Sequence, residues 1–217
     1  MNQLASAILQ ISSLPVWGTC IYSIIIYKSL SKELKIIGAF LVFAGVIQFI
    51  STYCWYNKIN NMPLLHLYVA GGFLFICLFY QQLLDGFISK KIIWGVLACF
   101  TCFTVINTLF IQPINTYNSY AVVVESILII ILSLSTFMFL LDDIVKETKG
   151  KLAVSLNWIN SGLFIYYSSS LLIFYFGNVI TGSFSVEISQ YLWVIPSIAS
   201  MAMHTCFFIG LWKRPQK

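Results

Sequence analysis

Seven long runs of apolar residues alternate with short polar breaks along the chain. Each run is close in length to the roughly 20 apolar residues that an α-helix needs to cross the hydrocarbon core of a bilayer. The runs cover residues 4–27, 34–55, 62–84, 92–111, 117–141, 157–178 and 188–212. This pattern predicts an all-α integral membrane bundle of seven transmembrane helices, which form a single domain over residues 1–217.

The sixth run is apolar enough to span a membrane but also carries a polar stripe. Polar side chains recur in it near helical spacing, at Asn157, Asn160, Ser161, Ser168, Tyr175 and Asn178. Because lipid offers no hydrogen-bond partners, such a face is expected to look at other helices or at water inside the bundle. We therefore expect this stripe to contribute to a polar interior, together with His204 of the seventh run.

The composition supports a membrane protein and excludes other classes. Of the 217 residues, 59% are apolar and 9% are charged, with a mean hydropathy of +0.89, whereas soluble domains have about 25% charged residues. The net charge of +5 does not indicate a nucleic-acid-binding protein, because the basic residues lie in short loops. The six cysteines are scattered through apolar runs, which is not the pattern of a disulfide framework.

The basic residues predict the orientation of the bundle. Eleven of the twelve fall in alternate breaks and after the last run, at Lys28, Lys32, Lys35, Lys90, Lys91, Lys146, Lys149, Lys151, Lys213, Arg214 and Lys217. The opposite side has only Lys58. By the positive-inside rule, the C-terminus is expected to be cytoplasmic and the N-terminus to lie outside.

Glu125 is the strongest candidate for a functional residue, because it lies about two turns inside the fifth run. A charged residue at a helix centre costs roughly 2.5–3.5 kcal/mol on insertion scales, and less near the edge, so its presence indicates a partner or a wet cavity. His66, in the third run, is expected at a similar depth. The two residues could bind a ligand, relay a proton or link two helices. The alternative for each is a structural role, in which its polar atoms are satisfied by neighbouring helices.

We predict an outward-facing ligand pocket that contains His66 and Glu125 beneath an aromatic rim. Its other predicted members are Tyr68, Asn107, Tyr120, Tyr175 and Trp193. Polar groups that converge in an apolar cavity are typical of a small-molecule site. No metal and no cofactor is predicted, because His66 and His204 are expected at different depths. The Cys99-x-x-Cys102 spacing lies in an apolar helix and is interpreted as core packing.

Four stretches together resemble a known family. They are residues 63–68 (PLLHLY), 118–126 (NSYAVVVES), 158–174 (WINSGLFIYYSSSLLIF) and 209–213 (IGLWK). They are similar to a bacterial family of small, uncharacterised seven-helix membrane proteins, whose members resemble the membrane sensor modules found with some histidine kinases. The resemblance implies a seven-helix fold in the cytoplasmic (inner) membrane, with Glu125 and residues 158–161 as recurrent features. It also implies that signalling needs a separate partner, since this sequence shows no kinase domain.

The leading hypothesis from the sequence is a receptor-like or sensory module that binds a small molecule or lipid and signals through a separate partner. The first alternative is an intramembrane enzyme that acts on lipid, with His66 or Glu125 as the base. A transporter and a subunit of a larger membrane assembly are further alternatives. Membrane lipids are the partners that every one of these hypotheses requires, and nucleic acid is a partner in none of them.

Overall fold

The computed structural model describes residues 3–142, 147 and 150–215, and over these residues the chain is helical without strands. The predictions for Lys146, Lys149 and Lys217 lie outside the described residues. The helices, numbered here in chain order, are α1 (Gln3–Ile11), α2 (Ser13–Ile26), α3 (Lys32–Tyr56), α4 (Met62–Leu83), α5 (Lys90–Ile106), α6 (Ser119–Leu141), α7 (Lys151–Tyr175), α8 (Gly177–Ser183) and α9 (Val186–Trp212). The all-α prediction is therefore confirmed.

In the described part of the chain, six helical spans are long and apolar enough to cross a membrane. They are Leu4–Ser29, Lys32–Tyr56, Met62–Leu83, Lys90–Ile111, Ser119–Leu141 and Val186–Trp212. A seventh is reached if α7 and α8, which are bent by 48° relative to each other, count as one span. The outer surface is apolar to match, with Phe110, Met138 and Leu172 exposed by 80%, 69% and 70%. The architecture is compatible with a multi-pass membrane protein.

Three helices differ from their predicted extents for local reasons. The first run divides at Ser12, whose hydroxyl bonds the carbonyl of Leu9 at 2.7 Å. The fourth run ends in a π turn, Asn107–Ile111, closed by a 2.7 Å bond from the Gln112 amide to the Asn107 carbonyl. The sixth run begins earlier, at Lys151, and bends at Phe176.

Hydrogen bonds between loops identify which helix ends lie together. The Asn60 side-chain amide donates to the Asn115 carbonyl at 2.9 Å, which joins the α3–α4 loop to the 112–118 loop. At the other end, Arg214 donates to the Ser29 hydroxyl at 3.1 Å, which joins the end of α9 to the end of α2. We call the end with Asn60 and Asn115 the lysine-poor end of the bundle, and the end with Ser29 and Arg214 the lysine-rich end.

The most extensive helix contact among the described residues is between α7 and α9, and it depends on small residues. A Cβ atom at Gly210 would lie 2.9 Å from the Ser155 carbonyl oxygen, and one at Gly162 would lie 2.9 Å from the Met203 carbonyl oxygen. The Ser155 hydroxyl donates to the Gly210 carbonyl at 2.6 Å. Small residues at such crossings let two backbones approach closely, which is the usual way that helices associate in a membrane.

A buried polar network joins α4, α6 and α7 in the half of the bundle near the lysine-rich end. The Tyr80 hydroxyl donates to Asn160 Oδ1 at 2.9 Å and lies 2.7 Å from the Ser133 hydroxyl. The Asn160 amide donates to the Ser133 carbonyl at 3.0 Å. All three residues are buried, so the network fixes the register of the three helices without facing a cavity.

Candidate ligand-binding cavity

A cavity of about 380 Å³ lies between α2, α3, α4, α7 and α9. Along α9 it reaches from Trp193 to His204, which is about 16 Å at the helical rise of about 1.5 Å per residue. Uncharged polar side chains of its wall include Gln48, Ser51, Asn61, Ser200 and His204. The residues Ser51 and Asn61 place one side of the cavity at the lysine-poor end, where the Asn61 amide donates to the Ser51 hydroxyl at 2.8 Å.

Four aromatic side chains form much of the remaining wall, and they come from four separate segments. Tyr68 belongs to α4, Tyr117 to the 112–118 loop, Tyr166 to α7 and Trp193 to α9. The Tyr117 and Trp193 ring centroids are 5.1 Å apart, and Tyr68 stacks on Phe43 with an interplanar angle of 1°. These contacts hold the rings in place, so the aromatic wall is preformed.

Glu125 lies behind this wall. Its side chain is 2% exposed, and it accepts a hydrogen bond of 3.4 Å from the Tyr167 hydroxyl. It is also within electrostatic range of Tyr68, Tyr117 and Tyr166. Among the described residues no lysine or arginine pairs with this carboxyl. A buried charge without a partner is strongly unfavourable, so the carboxyl has either to carry a proton or to face a cation from outside the chain.

Tyr117 brings a hydroxyl from a loop into the cavity wall. Burial raises the pKa of this hydroxyl, and Tyr166 and Glu125 raise it further. The group therefore stays protonated at neutral pH and can donate a hydrogen bond. Its ring packs directly against Gly177 at the start of α8, where no side chain intervenes.

His204 is held at the deep end of the cavity by α2. Its Nδ1 atom lies 2.8 Å from the Thr19 hydroxyl, which itself reaches the carbonyl oxygens of Pro15 and Val16 at 2.8 and 3.0 Å. Since the Thr19 proton has these intrahelical acceptors, its oxygen can accept the proton of Nδ1–H. In that tautomer Nε2 is a hydrogen-bond acceptor on a residue that lines the cavity.

His66 binds the π turn and the 112–118 loop and does not line the cavity. Its Nε2–H donates to the Thr116 carbonyl at 3.2 Å, so Nδ1 accepts from the Thr108 hydroxyl at 2.9 Å. Both ring nitrogens are thus satisfied by the π turn and the 112–118 loop. The structure does not bring His66 and Glu125 together, and the lipid-acting arrangement of Glu125, a histidine and a serine is not assembled among the described residues.

Asn107 belongs to a network of amides and hydroxyls beside His66. The Asn107 amide donates to Asn118 Oδ1 at 2.8 Å and to Gln112 Oε1 at 3.2 Å. The Ser119 hydroxyl then accepts from the amides of Gln112 and Asn178 at 2.8 and 3.0 Å. This network holds the 112–118 loop against α6 and α8, and so positions Tyr117 at the cavity.

The other predicted pocket residues divide into two groups. Tyr68 and Trp193 line the cavity. Tyr120 and Tyr175 are 48% and 55% exposed and lie on the outside of the bundle. The sequence prediction gives no pocket role to Tyr117, although its position at the start of a long apolar run is compatible with a side chain at a cavity mouth.

The structure places the members of the predicted polar stripe of α7 on different faces of the helix. Asn157 and Ser168 are exposed, Ser161 is partly buried, and Asn160 is fully buried in the network with Tyr80. The Ser168 hydroxyl donates to the carbonyl four residues earlier at 2.6 Å, which lets it face lipid without an unsatisfied donor. Asn157 lies nearer the lysine-rich end of α7, where a polar side chain can reach the bilayer interface.

A second cavity of about 540 Å³ adjoins the first and shares Gln48, Ser51 and Asn61 with it. It lies between the first span and α3. Trp17 Nε1 and Gln190 Oε1 line it as buried atoms without a hydrogen-bond partner among the described residues. The two cavities are therefore neighbours that share a polar part of their walls.

Comparison of the chain with protein-family models, curated proteins and solved structures finds no match. The cavity and its surroundings are therefore what supports a function.

Proposed function

We propose that this protein is a receptor-like, multi-pass membrane protein that binds a small amphipathic molecule or a lipid in the cavity between α3, α4, α7 and α9. The observation that carries the proposal is the cavity itself. Its volume of about 380 Å³ falls within the roughly 300–1,000 Å³ of small-molecule sites. Its wall combines preformed aromatic rings with a few uncharged polar groups, and the adjoining cavity offers a lateral path for a molecule that arrives from the bilayer.

The proposal includes seven spans, with the lysine-poor end outside the cytoplasm and the lysine-rich end inside. The distribution of lysines supports this orientation. In a cysteine-free background, Ile114→Cys, on the 112–118 loop, should react with a membrane-impermeant maleimide in intact cells. Ser89→Cys, on the α4–α5 loop, should react only after the membrane is permeabilised. The reverse pattern would overturn the orientation.

Signalling would proceed through α9, the helix that spans the length of the cavity. At its lysine-rich end, Arg214 donates to the Tyr22 hydroxyl at 3.2 Å and to the Ser29 hydroxyl at 3.1 Å. A ligand that repositions α9 would change this contact between α9 and α2. A separate partner could read that change at the basic surface, as the resemblance to kinase-associated sensor modules also suggests.

The binding proposal is tested by identifying molecules that copurify with the protein. The purified wild-type protein should carry a molecule that mass spectrometry detects after denaturation. Ser200→Leu, which fills the cavity, should lose it, whereas Ser169→Leu, on the exposed face of α7, should retain it. Equal retention by both variants, or a cavity that small reagents cannot reach, would contradict the proposal.

A further inference from the structure

The charge of the cavity wall and of its surroundings indicates the class of ligand that the cavity favours. None of the described residues that line it is a lysine, arginine, aspartate or glutamate. The faces of Tyr68, Tyr117, Tyr166 and Trp193 carry the negative part of an aromatic quadrupole. The Glu125 carboxyl lies within electrostatic range of Tyr68, Tyr117 and Tyr166 in this wall. When the carboxyl is ionised it makes the potential inside the cavity negative, and every ring face that lines the cavity adds to this potential.

The chain itself does not neutralise that carboxyl. Glu125 is 2% exposed, and its hydrogen bond from Tyr167 is long, at 3.4 Å. The two histidines are used elsewhere, with His66 bound to the 112–118 loop and His204 bound to Thr19. Without an external cation the buried carboxyl carries a proton, and in its ionised form it needs a positive charge that these residues do not supply.

We propose that the cavity selects a small organic cation, with a substituted ammonium group in front of Tyr68, Tyr117 and Tyr166 and with Glu125 as the counter-charge behind them. This inference rests on the proposed binding function and specifies its ligand class. Rings that surround a cation attract it most when water is excluded, as in a buried cavity. Anionic amphiphiles are disfavoured by the same arrangement, because no lysine or arginine among the described residues lines the wall.

The test uses a cysteine as a probe of the potential inside the cavity. Ser200→Cys is made in a background that lacks the six native cysteines, and Ile114→Cys serves as the control on the exposed loop at the same end. Three thiosulfonates are compared: the neutral methyl reagent, the cationic trimethylammonium-ethyl reagent and the anionic sulfonatoethyl reagent. The rate at position 200 divided by the rate at position 114 removes the intrinsic reactivity of each reagent.

We expect the neutral reagent to reach position 200, and the corrected rate of the cationic reagent to exceed that of the anionic one by about ten-fold or more. Glu125→Gln should reduce this ratio several-fold, whereas Glu125→Asp, which keeps the charge, should retain most of it. The neutral reagent should react with the Gln variant at least as fast as before, since the loss of a nearby negative charge favours the reactive thiolate, and this rate shows that the cavity is still open.

The outcomes separate the two proposals. If the neutral reagent does not modify position 200, the cavity is closed and the binding function itself is contradicted. If the neutral reagent reacts but the cationic and anionic rates are equal after correction, the cavity stands and the cationic class is overturned. If Glu125→Gln leaves a clear cation preference unchanged, the counter-charge role of Glu125 is wrong.

Discussion

Replacement of Gly177 by alanine is the sharpest test of how the cavity wall is built. Gly177 begins α8, directly after the bend at Phe176. A Cβ atom at this position would overlap Cδ1 and Cε1 of the Tyr117 ring and lie 3.1 Å from Cζ. Tyr117 is 8% exposed and is backed by the Trp193 ring at 5.1 Å, so it has little room to withdraw.

The expected cost follows from this overlap. Ordinary carbon contacts lie about 3.5–4.0 Å apart, so either the Tyr117 ring or the start of α8 has to move by about an ångström or more. Overpacking of this kind typically costs about 1–3 kcal/mol. Gly182 provides a matched control in the same short helix, because a Cβ atom there meets nothing within 4 Å. Gly182→Ala should change stability by less than about 0.5 kcal/mol.

The measurement is the free energy of unfolding in mixed micelles, from titration with a denaturing detergent. A double-mutant cycle with Tyr117→Ala identifies the contact, and the cost of Gly177→Ala should fall by about 1 kcal/mol or more when the ring is absent. Equal stability of Gly177→Ala and Gly182→Ala would refute the reasoning. So would a cost that is the same with and without the Tyr117 ring.

Three further predictions address the rest of the bundle. Asn160→Ala should lower the free energy of unfolding by about 1–2 kcal/mol, because it removes an interhelical network. Asn157→Ala, on the exposed face of the same helix, should change this free energy by less than about 0.5 kcal/mol in the same titration. Gly210→Ala should cost about 1–3 kcal/mol, because its Cβ would lie 2.9 Å from a backbone carbonyl of α7, whereas Gly95→Ala, which meets nothing within 4 Å, should be near neutral. His66→Leu should raise hydrogen exchange in the 112–118 loop, whose carbonyl it anchors, without changing thiol reactivity in the cavity; unchanged exchange would contradict the anchoring role.

The helices were predictable because the apolar runs are long, but their irregularities were not. The mean hydropathy of the span Lys90–Ile111 is 1.9, which predicts one membrane helix and cannot show that the α-helix becomes a π turn at Asn107. The bend after α7 is similar, since Phe176 and Gly177 look like any aromatic and small pair in a span. Tertiary contacts decide both features: a network of amides holds the π turn, and Tyr117 occupies the space that Gly177 leaves open.

The buried face of α7 was harder to predict than its extent. In a membrane helix the lipid-facing side is as apolar as the packed side, so polarity separates the two only weakly. Serine adds to the ambiguity, because its hydroxyl can bond its own helix, as Ser168 does. The side-chain amide of Asn160 does not bond its own helix but donates to a carbonyl of α6, and the residue lies in the core. In the middle of α7, away from the end where Asn157 lies exposed, the amide is therefore a better guide to the interior than the hydroxyl of Ser168.

The surroundings of Glu125 in the structure differ from those that the sequence predicts. From the sequence, His66 was its expected partner because both residues were placed at similar depth. The structure gives both nitrogens of His66 to the 112–118 loop and surrounds Glu125 with phenols. A Cβ atom at Gly72 would lie 3.9 Å from Glu125 Oε1, so α4 also approaches the carboxyl closely without offering a positive charge. The cost of burying this group therefore has to be offset by a proton or by a cation in the adjacent cavity, and that requirement connects the buried carboxyl to the cavity beside it.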